Sequence, residues 1–315
     1  PTSLSPPFWI TAVVNSSATA GIIFVNKRIF EDESLRHAQV TFAAFHFTVT
    51  ALLLWIISRP SIDIFEAKRI NAVQLLPLAV TMMLNVILPN ASLANSSIQF
   101  YQVMRVLLTP CVALLNYLDS RATIPRAAAL TLVPICVGVA VVSYCDTQPR
   151  HDQDQRATSP LGAAFALSGV FASALYTVFI RRYHQKLECT SMQLLLNQAP
   201  LSVLMTLSVI PFSDDLTIWG NVSSSAWMLI LTASPGNESG FLACLINLTQ
   251  YLIVNQAGPV SSTVVGHFKT CSIIVLGWAH SGGSINHGSL LGIALAIGGI
   301  IASVVIPQAQ ILRPG

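Results

Sequence analysis

Residues 258–271 read GPVSSTVVGHFKTC. The stretch lies in an apolar run long enough to cross a bilayer, yet it carries Lys269 and, two residues earlier, His267. A second such run, Phe100 to Pro110 (FYQVMRVLLTP), carries Arg105. The other lysines and arginines stand at the ends of apolar runs or in polar connections. All 13 acidic residues fall outside the confident spans: twelve are in polar connections, and Glu238 is in the irregular patch Pro235-Gly236-Asn237-Glu238. Two cations therefore stand in hydrocarbon with no acidic residue of the spans to neutralise them. Each costs about 2.5–3.5 kcal/mol to bury even on the lenient insertion scale. A ligand is the simplest source of the missing negative charge, which points to a carrier of an organic anion.

The composition agrees with a membrane setting. The chain has 315 residues, 53% hydrophobic and 9% charged, with a mean hydropathy of +0.65. Soluble domains carry about 25% charged residues, so a polytopic membrane protein is expected. The formal charge of +3 comes with no basic tract interleaved with aromatics, which argues against nucleic-acid binding. The six cysteines (111, 136, 145, 189, 244 and 271) show no metal or redox spacing and read as small apolar residues. No metal and no cofactor is expected. The opening PTSLSPP runs straight into an apolar segment, as a first span does and a cleaved leader does not. Pro1 in place of an initiator Met suggests a piece of a longer chain.

Ten spans of roughly 17–25 residues can be drawn, the length that crosses ~30 Å of hydrocarbon. They fall near 8–27, 38–58, 72–93, 97–118, 127–145, 160–181, 191–212, 226–253 (irregular), 258–280 and 287–306. The polar connection 146–159 is expected to link two halves. With the N-terminus in the cytosol, the cytosolic loops hold basic residues 59, 68, 69, 121, 126, 181, 182, 186 and 313. The opposite side holds 27, 28, 36, 150 and 156. This bias places both termini in the cytosol. Pro77, Pro89, Pro110, Pro134 and Pro200 lie within the spans and read as kinks that neighbouring chain can satisfy.

An internal repeat emerges at a shift of 161 residues. Leu115 falls on Leu276, Ser120 on Ser281, Ile124 on Ile285, Leu130 on Leu291 and Gly138 on Gly299. Five spans separate equivalent positions, an odd number, so the second copy is inserted upside down. Such inverted repeats place a substrate site near the midplane in many secondary transporters. Arg105 and Lys269 fall in corresponding spans, three residues apart in register and so on nearly one helical face. Arg offers a planar fork and Lys a compact point charge, a pairing suited to phosphate. Neither reaches an interface easily by snorkelling.

Other polar residues in the spans form a second tier. Tyr101 and Gln102 can hydrogen-bond a sugar or a base, although Tyr101 also fits an interfacial belt. Asn197 and Gln198 (LLLNQAP) and Asn247, Thr249 and Gln250 (INLTQ) are candidates too, with bonding across helices the plainer alternative. His267 reads equally as a proton relay or as a hydrogen-bonded structural imidazole. Asn26 ends the first span and serves equally well as an interface anchor. Sequons occur at Asn15, Asn90, Asn95, Asn221, Asn237 and Asn247; only Asn221 falls in an expected lumenal loop. No nucleophile elbow, HExxH, P-loop or carboxylate cluster appears, so no enzyme activity is expected.

Taken together, FVNKRIF (24–30), FYQVMRVLLTP (100–110), LTLVPICVGVAVVSYCD (130–146), ALYTVFIRRYH (174–184), SMQLLLNQAPLS (191–202), INLTQYLIVN (246–255) and VGHFKTC (265–271) form a specific set. Over nearly its whole length the chain resembles the nucleotide-sugar and triose-phosphate translocators of the drug/metabolite transporter superfamily. Lys269-Thr270 resembles the Lys-Thr nucleotide-sugar branch; triose-phosphate carriers have Lys-Arg there. The resemblance assigns phosphate binding to Lys269. It puts Arg105 where relatives usually carry lysine after FYQ or TYQ, a change that keeps the charge and alters the geometry. Tyr101, Gln102, Asn197, Asn247 and Thr270 become the base and sugar contacts, with Gln198, Gln250, His267, Tyr176 and Asn26 behind them. About six residues, 233–238, look inserted relative to this family and are expected to break the eighth helix.

The expectation is an all-α membrane protein of ten transmembrane helices, built as two inverted five-helix repeats, 8–145 and 160–306, in one polytopic domain. It is expected to exchange a nucleotide sugar, a UDP-sugar first, for a nucleoside monophosphate in the Golgi or ER membrane. The alternatives are an exchanger of phosphorylated metabolites of the triose-phosphate type, a proton-coupled exporter, and a non-transporting protein if the 233–238 patch breaks helix eight. Besides its substrates, the partners are the lipid bilayer and, as an option, a second copy in a homodimer.

Overall fold

The computed structural model describes residues 7–30, 39–62, 64–95, 104–121, 126–146, 159–214 and 238–281, and near the C-terminus 288, 290–292, 294–299 and 302. These residues are helical, with short connections and no strand among them. The helices are α1 (Phe8–Phe30), α2 (Gln39–Ile57), α3 (Ala72–Asn95), α4 (Leu108–Ser120), α5 (Arg126–Asp146), α6 (Pro160–Leu187), α7 (Ser191–Ser213) and α8 (Glu238–Ser281). Four of them contain stretches long and apolar enough to cross a membrane: Val40–Ile57, Ala72–Pro89, Pro160–Leu187 and Ser191–Ser213. The chain folds into two compact units. One joins Pro1–Ile87 to Phe179–Gly258, and the other joins Leu88–Val178 to Pro259–Gly315.

In the first unit α2 packs antiparallel along α7. A single carboxylate closes the pair. Asp214, the buried residue that ends α7, accepts the Thr41 backbone N–H at 2.7 Å, the Val40 N–H at 3.3 Å and the Thr41 hydroxyl at 2.7 Å. Helix N-termini leave backbone donors unpaired and carry positive partial charge, so a carboxylate is the natural cap. Val40, Ala44 and Ile210 form the apolar cluster beside it. At the other end of α2 the segment 64–71 is tied to the α6–α7 turn. Lys68 Nζ donates to the carbonyls of Leu187 (2.7 Å) and Glu188 (3.1 Å), and Gln193 donates to the Glu66 carbonyl at 2.8 Å. Thr190 and Gln193 form a capping box that starts α7. α1 meets α8 through Asn15, whose amide donates to Thr249 Oγ1 at 2.7 Å and to the Ile246 carbonyl at 3.1 Å.

In the second unit α3 and α6 run antiparallel. Ser159 caps α6 by accepting the Gly162 N–H at 3.0 Å, and Pro160 follows at the first helical position, where its missing N–H has no consequence. The Ser159 hydroxyl and N–H both donate to the last α3 carbonyl, Asn95, at 2.9 and 3.1 Å. α5 crosses the helical stretch 290–299 at a distance that leaves no room for side chains. A Cβ on Gly138 would lie 2.5 Å from the Gly292 carbonyl oxygen and 2.5 Å from the Ala296 nitrogen. One on Gly299 would lie 3.0 Å from the Ile135 nitrogen and 3.2 Å from the Thr131 oxygen. The crossing is antiparallel and reciprocal. Shifted by 161, Gly138 becomes Gly299, and positions 131 and 135 become 292 and 296.

In the fourth span, expected over 97–118, the described residues 104–120 run helically through one tightened turn at Leu107, whose φ of −66° and ψ of −10° are right-handed helical and whose N–H bonds the Met104 carbonyl three residues back. Pro110, which donates no hydrogen bond, follows in the next turn. The expected eighth and ninth spans are two limbs of α8, separated at Gly258, whose φ of 86° and ψ of 170° belong to a region essentially confined to glycine. Pro259 then opens the second limb. The first limb begins at Glu238; residues 226–237 of the expected eighth span, including most of the inserted patch, lie outside the described residues.

Three substitutions test this packing and capping. Gly138→Ala is expected to lower the melting temperature in detergent, by the roughly 1–3 kcal/mol typical of overpacking. Gly298→Ala, one residue from Gly299 and with nothing within 4 Å of a new Cβ, is expected to leave it unchanged or raise it. Asp214→Ala is expected to cost about 1–2 kcal/mol through the lost cap, read as an earlier thermal transition.

Candidate functional site

The sequence candidates separate into two groups when placed on the fold. Arg105, His267, Lys269 and Tyr176 belong to the second unit. Arg105 sits on the helical turn 104–106, just before the tightened turn in which the Leu107 N–H bonds the Met104 carbonyl at 3.0 Å. Its side chain is exposed, while its neighbour Val106 is buried against Ile135 and Ala296, with Val264 of α8 packed on the same cluster. Further along, Val112 of α4 packs with Ala174 and Val178, and Leu108 and Val260 join that cluster. The fourth helix is thus held against the second limb of α8 at two successive places.

Lys269 lies on that limb, half-buried, and His267 is buried two residues before it. His267 Nε2 is hydrogen-bonded to Thr109 Oγ1 at 2.7 Å, and Thr109 is fully buried. Ser262 and Thr263 add buried hydroxyls to the limb. No acidic residue occurs in the sequence between Pro259 and Gly315, and those between Leu88 and Val178 are 119, 146, 152 and 154, at helix ends or in the connection. Two positive charges thus converge here from two helices. Fork and point charge together can grip the oxygens of a phosphate in more than one direction. Tyr176 is buried in α6 of this unit.

Asn197, Asn247, Gln198 and Gln250 belong to the first unit. Asn197 Oδ1 accepts the Ile70 N–H at 3.1 Å, and its Nδ2 donates to the carbonyls of Lys68 (2.7 Å) and Gln193 (2.8 Å). The bonds to Ile70 and Lys68 fasten the 68–70 segment to α7, and the bond to Gln193 stays within α7. Gln198 is fully buried, accepting from the Tyr251 hydroxyl at 2.8 Å and donating to Ser202. Asn247 reaches Thr50 Oγ1 at 3.4 Å, a bond between α8 and α2, and Gln250 is half-buried one turn on. Tyr101 and Gln102 lie outside the described residues, as do the side chains of Asn26 and Thr270, whose backbones are helical.

Sequence reasoning passed over Thr109 and Asn15. Thr109 sits among leucines in VLLTP, but one helical turn after Arg105, the spacing that puts two side chains on one face. Asn15 drew notice only as a sequon. It is fully buried and ties α1 to α8.

Comparison with known proteins extends over most of the chain. UDP-rhamnose/UDP-galactose transporter 2 of Arabidopsis thaliana is 24% identical over 294 residues, covering 91% of this chain and 80% of the relative. UDP-rhamnose/UDP-galactose transporter 3 of the same plant is 25% identical over 299 residues (93% and 80%). UDP-xylose transporter 2, also from that plant, is 24% identical over 271 residues (84% and 69%). No family model matches the chain. A crystal structure superposes with a TM-score of 0.70 over 96% of this chain and 98% of that one at 11% identity, a likeness of fold alone. The chain is thus similar, over 84–93% of its length, to plant nucleotide-sugar transporters.

Proposed function

We propose that this protein is an antiporter that exchanges a nucleotide sugar, specifically a UDP-sugar, for a nucleoside monophosphate across the Golgi membrane. The observation that carries the reading is that the helical segments bearing Arg105 and Lys269 lie together in one unit, joined by the Thr109–His267 hydrogen bond and by the packing of Val106 with Val264. The relatives named above are transporters of UDP-rhamnose, UDP-galactose and UDP-xylose, which supports a UDP-sugar as the cargo. Lys269 and Arg105 take the phosphates. Tyr101, Gln102 and Thr270 take the base and the sugar, flanking the two cations in sequence. The reciprocal crossing at Gly138 and Gly299 supports ten helices arranged as two inverted repeats. Lys68 and Arg181 bond to backbone at the end of the first unit that carries the α6–α7 turn. That basic end supports a cytosolic placement of the termini.

Exchange follows from the charges. An empty site holding two cations in a low-dielectric surround is penalised, so the unloaded carrier reorients slowly. A bound dianion neutralises the site and lets it cross. Coupling then needs no protonated carboxylate at the midplane, and the spans offer none.

Transport by purified protein in proteoliposomes tests the site. Lys269→Ala is expected to cut uptake of labelled UDP-galactose by about tenfold to a hundredfold, the range for charge-assisted hydrogen bonds worth roughly 1.5–3 kcal/mol. The variant should remain monodisperse and thermally intact; normal uptake would remove the anion-site reading. Lys269→Arg keeps the charge but is expected to transport poorly, because a fork replaces a point charge.

Counterflow tests the coupling. Liposomes preloaded with UMP are expected to take up external UDP-galactose many times faster than empty ones, and a pH gradient alone should drive little. Equal uptake by empty liposomes under a proton gradient would turn attention to proton coupling through His267.

A further inference from the structure

The two cations stand on two separate helical segments of one unit. Separate helices do not fix side chains relative to one another by backbone alone. Some other contact must hold the turn bearing Arg105 at a constant distance from the turn bearing Lys269. The cluster of Val106, Ile135 and Ala296 with Val264 supplies apolar packing, but such packing tolerates small slides along the helix axes. A hydrogen bond between two buried side chains does not.

We propose that Thr109 and His267 are positioning residues for the phosphate site, and that their hydrogen bond sets the spacing of Arg105 and Lys269. The inference rests on the anion-site reading of those two cations. Thr109 is one turn from Arg105 on the same face, and His267 is two residues from Lys269. The bond is 2.7 Å long, both residues are buried, and it joins the two chain segments that carry the charges. The Thr109 hydroxyl does not itself titrate near neutral pH, and its bond to His267 joins the two segments directly. Substrate with its phosphates bound strains neither helix if this distance is already correct. If the bond is lost, part of the binding energy goes into drawing the two turns together.

The test combines four variants with labelled UDP-galactose counterflow in UMP-loaded proteoliposomes. Thr109→Val keeps the shape and removes the hydroxyl. His267→Phe keeps the ring and removes its nitrogens. Each is expected to raise the KM for UDP-galactose by about threefold to tenfold, the effect of a side-chain hydrogen bond between membrane helices, while the maximal rate changes less. Together they should raise it no further than either alone, since both remove one interaction. Thr109→Ser, which retains the hydroxyl, is expected to restore a KM near that of the unaltered protein even if Thr109→Val folds poorly. Unchanged KM in folded Thr109→Val, multiplying effects in the double variant, or an equal rise in Thr109→Ser would each overturn the proposal. Lys269→Ala, run in parallel, separates the two levels: normal transport there removes the anion site itself, whereas its loss beside a silent Thr109→Val removes only the positioning role.

Discussion

Hydrocarbon offers polar side chains no partner, and this constraint decides where almost every polar group of the chain is spent. Asn15 is taken up by Thr249 and the Ile246 carbonyl, Gln198 by Tyr251 and Ser202, and Asn197 by the backbone of residues 68–70. Each is a bond between segments far apart in sequence, so satisfying a side chain and docking a helix are the same event. Arg105 and Lys269 differ in kind, because they carry charge and the sequence places no acidic residue in the spans that hold them.

The connections obey the same constraint at the helix ends. Asp214 serves two helices at once, since its own N–H continues α7 to the Ile210 carbonyl while its carboxylate receives the donors of α2. Ser159 does the equivalent for α3 and α6, donating to the end of one and accepting from the start of the other. Lys68 covers the last carbonyls of α6. In all three cases a residue outside the apolar stretch closes an antiparallel pair. These caps set which helix ends meet.

The helical character and most boundaries were legible because apolar runs of span length leave little alternative, and Gly258-Pro259 marked its own break. The tightened turn at Leu107 was not legible, because the proline at 110 permits either a kink or a regular first turn. Arg105 and Lys269 drew notice because charge within an apolar run is conspicuous. A neutral amide such as Asn197 gives no such signal, since in sequence it looks the same whether it faces a ligand or the 68–70 segment it is bonded to. Thr109 was hidden because a lone hydroxyl among leucines can bond its own helix at little cost, and its partner lies 158 positions away.

The crossing of α5 with the 290–299 stretch has a consequence for how such a chain can change over generations. At Gly138 all three nearest atoms to an added carbon are backbone, and at Gly299 two of the three are. A crowded side chain can be relieved by trimming a neighbour elsewhere in the gene, but a backbone atom cannot be trimmed. Changes at either codon therefore have no second-site remedy, and one contact is exposed to loss from two independent places. The two halves of the gene, however far their sequences drift apart, stay bound to each other at these glycines.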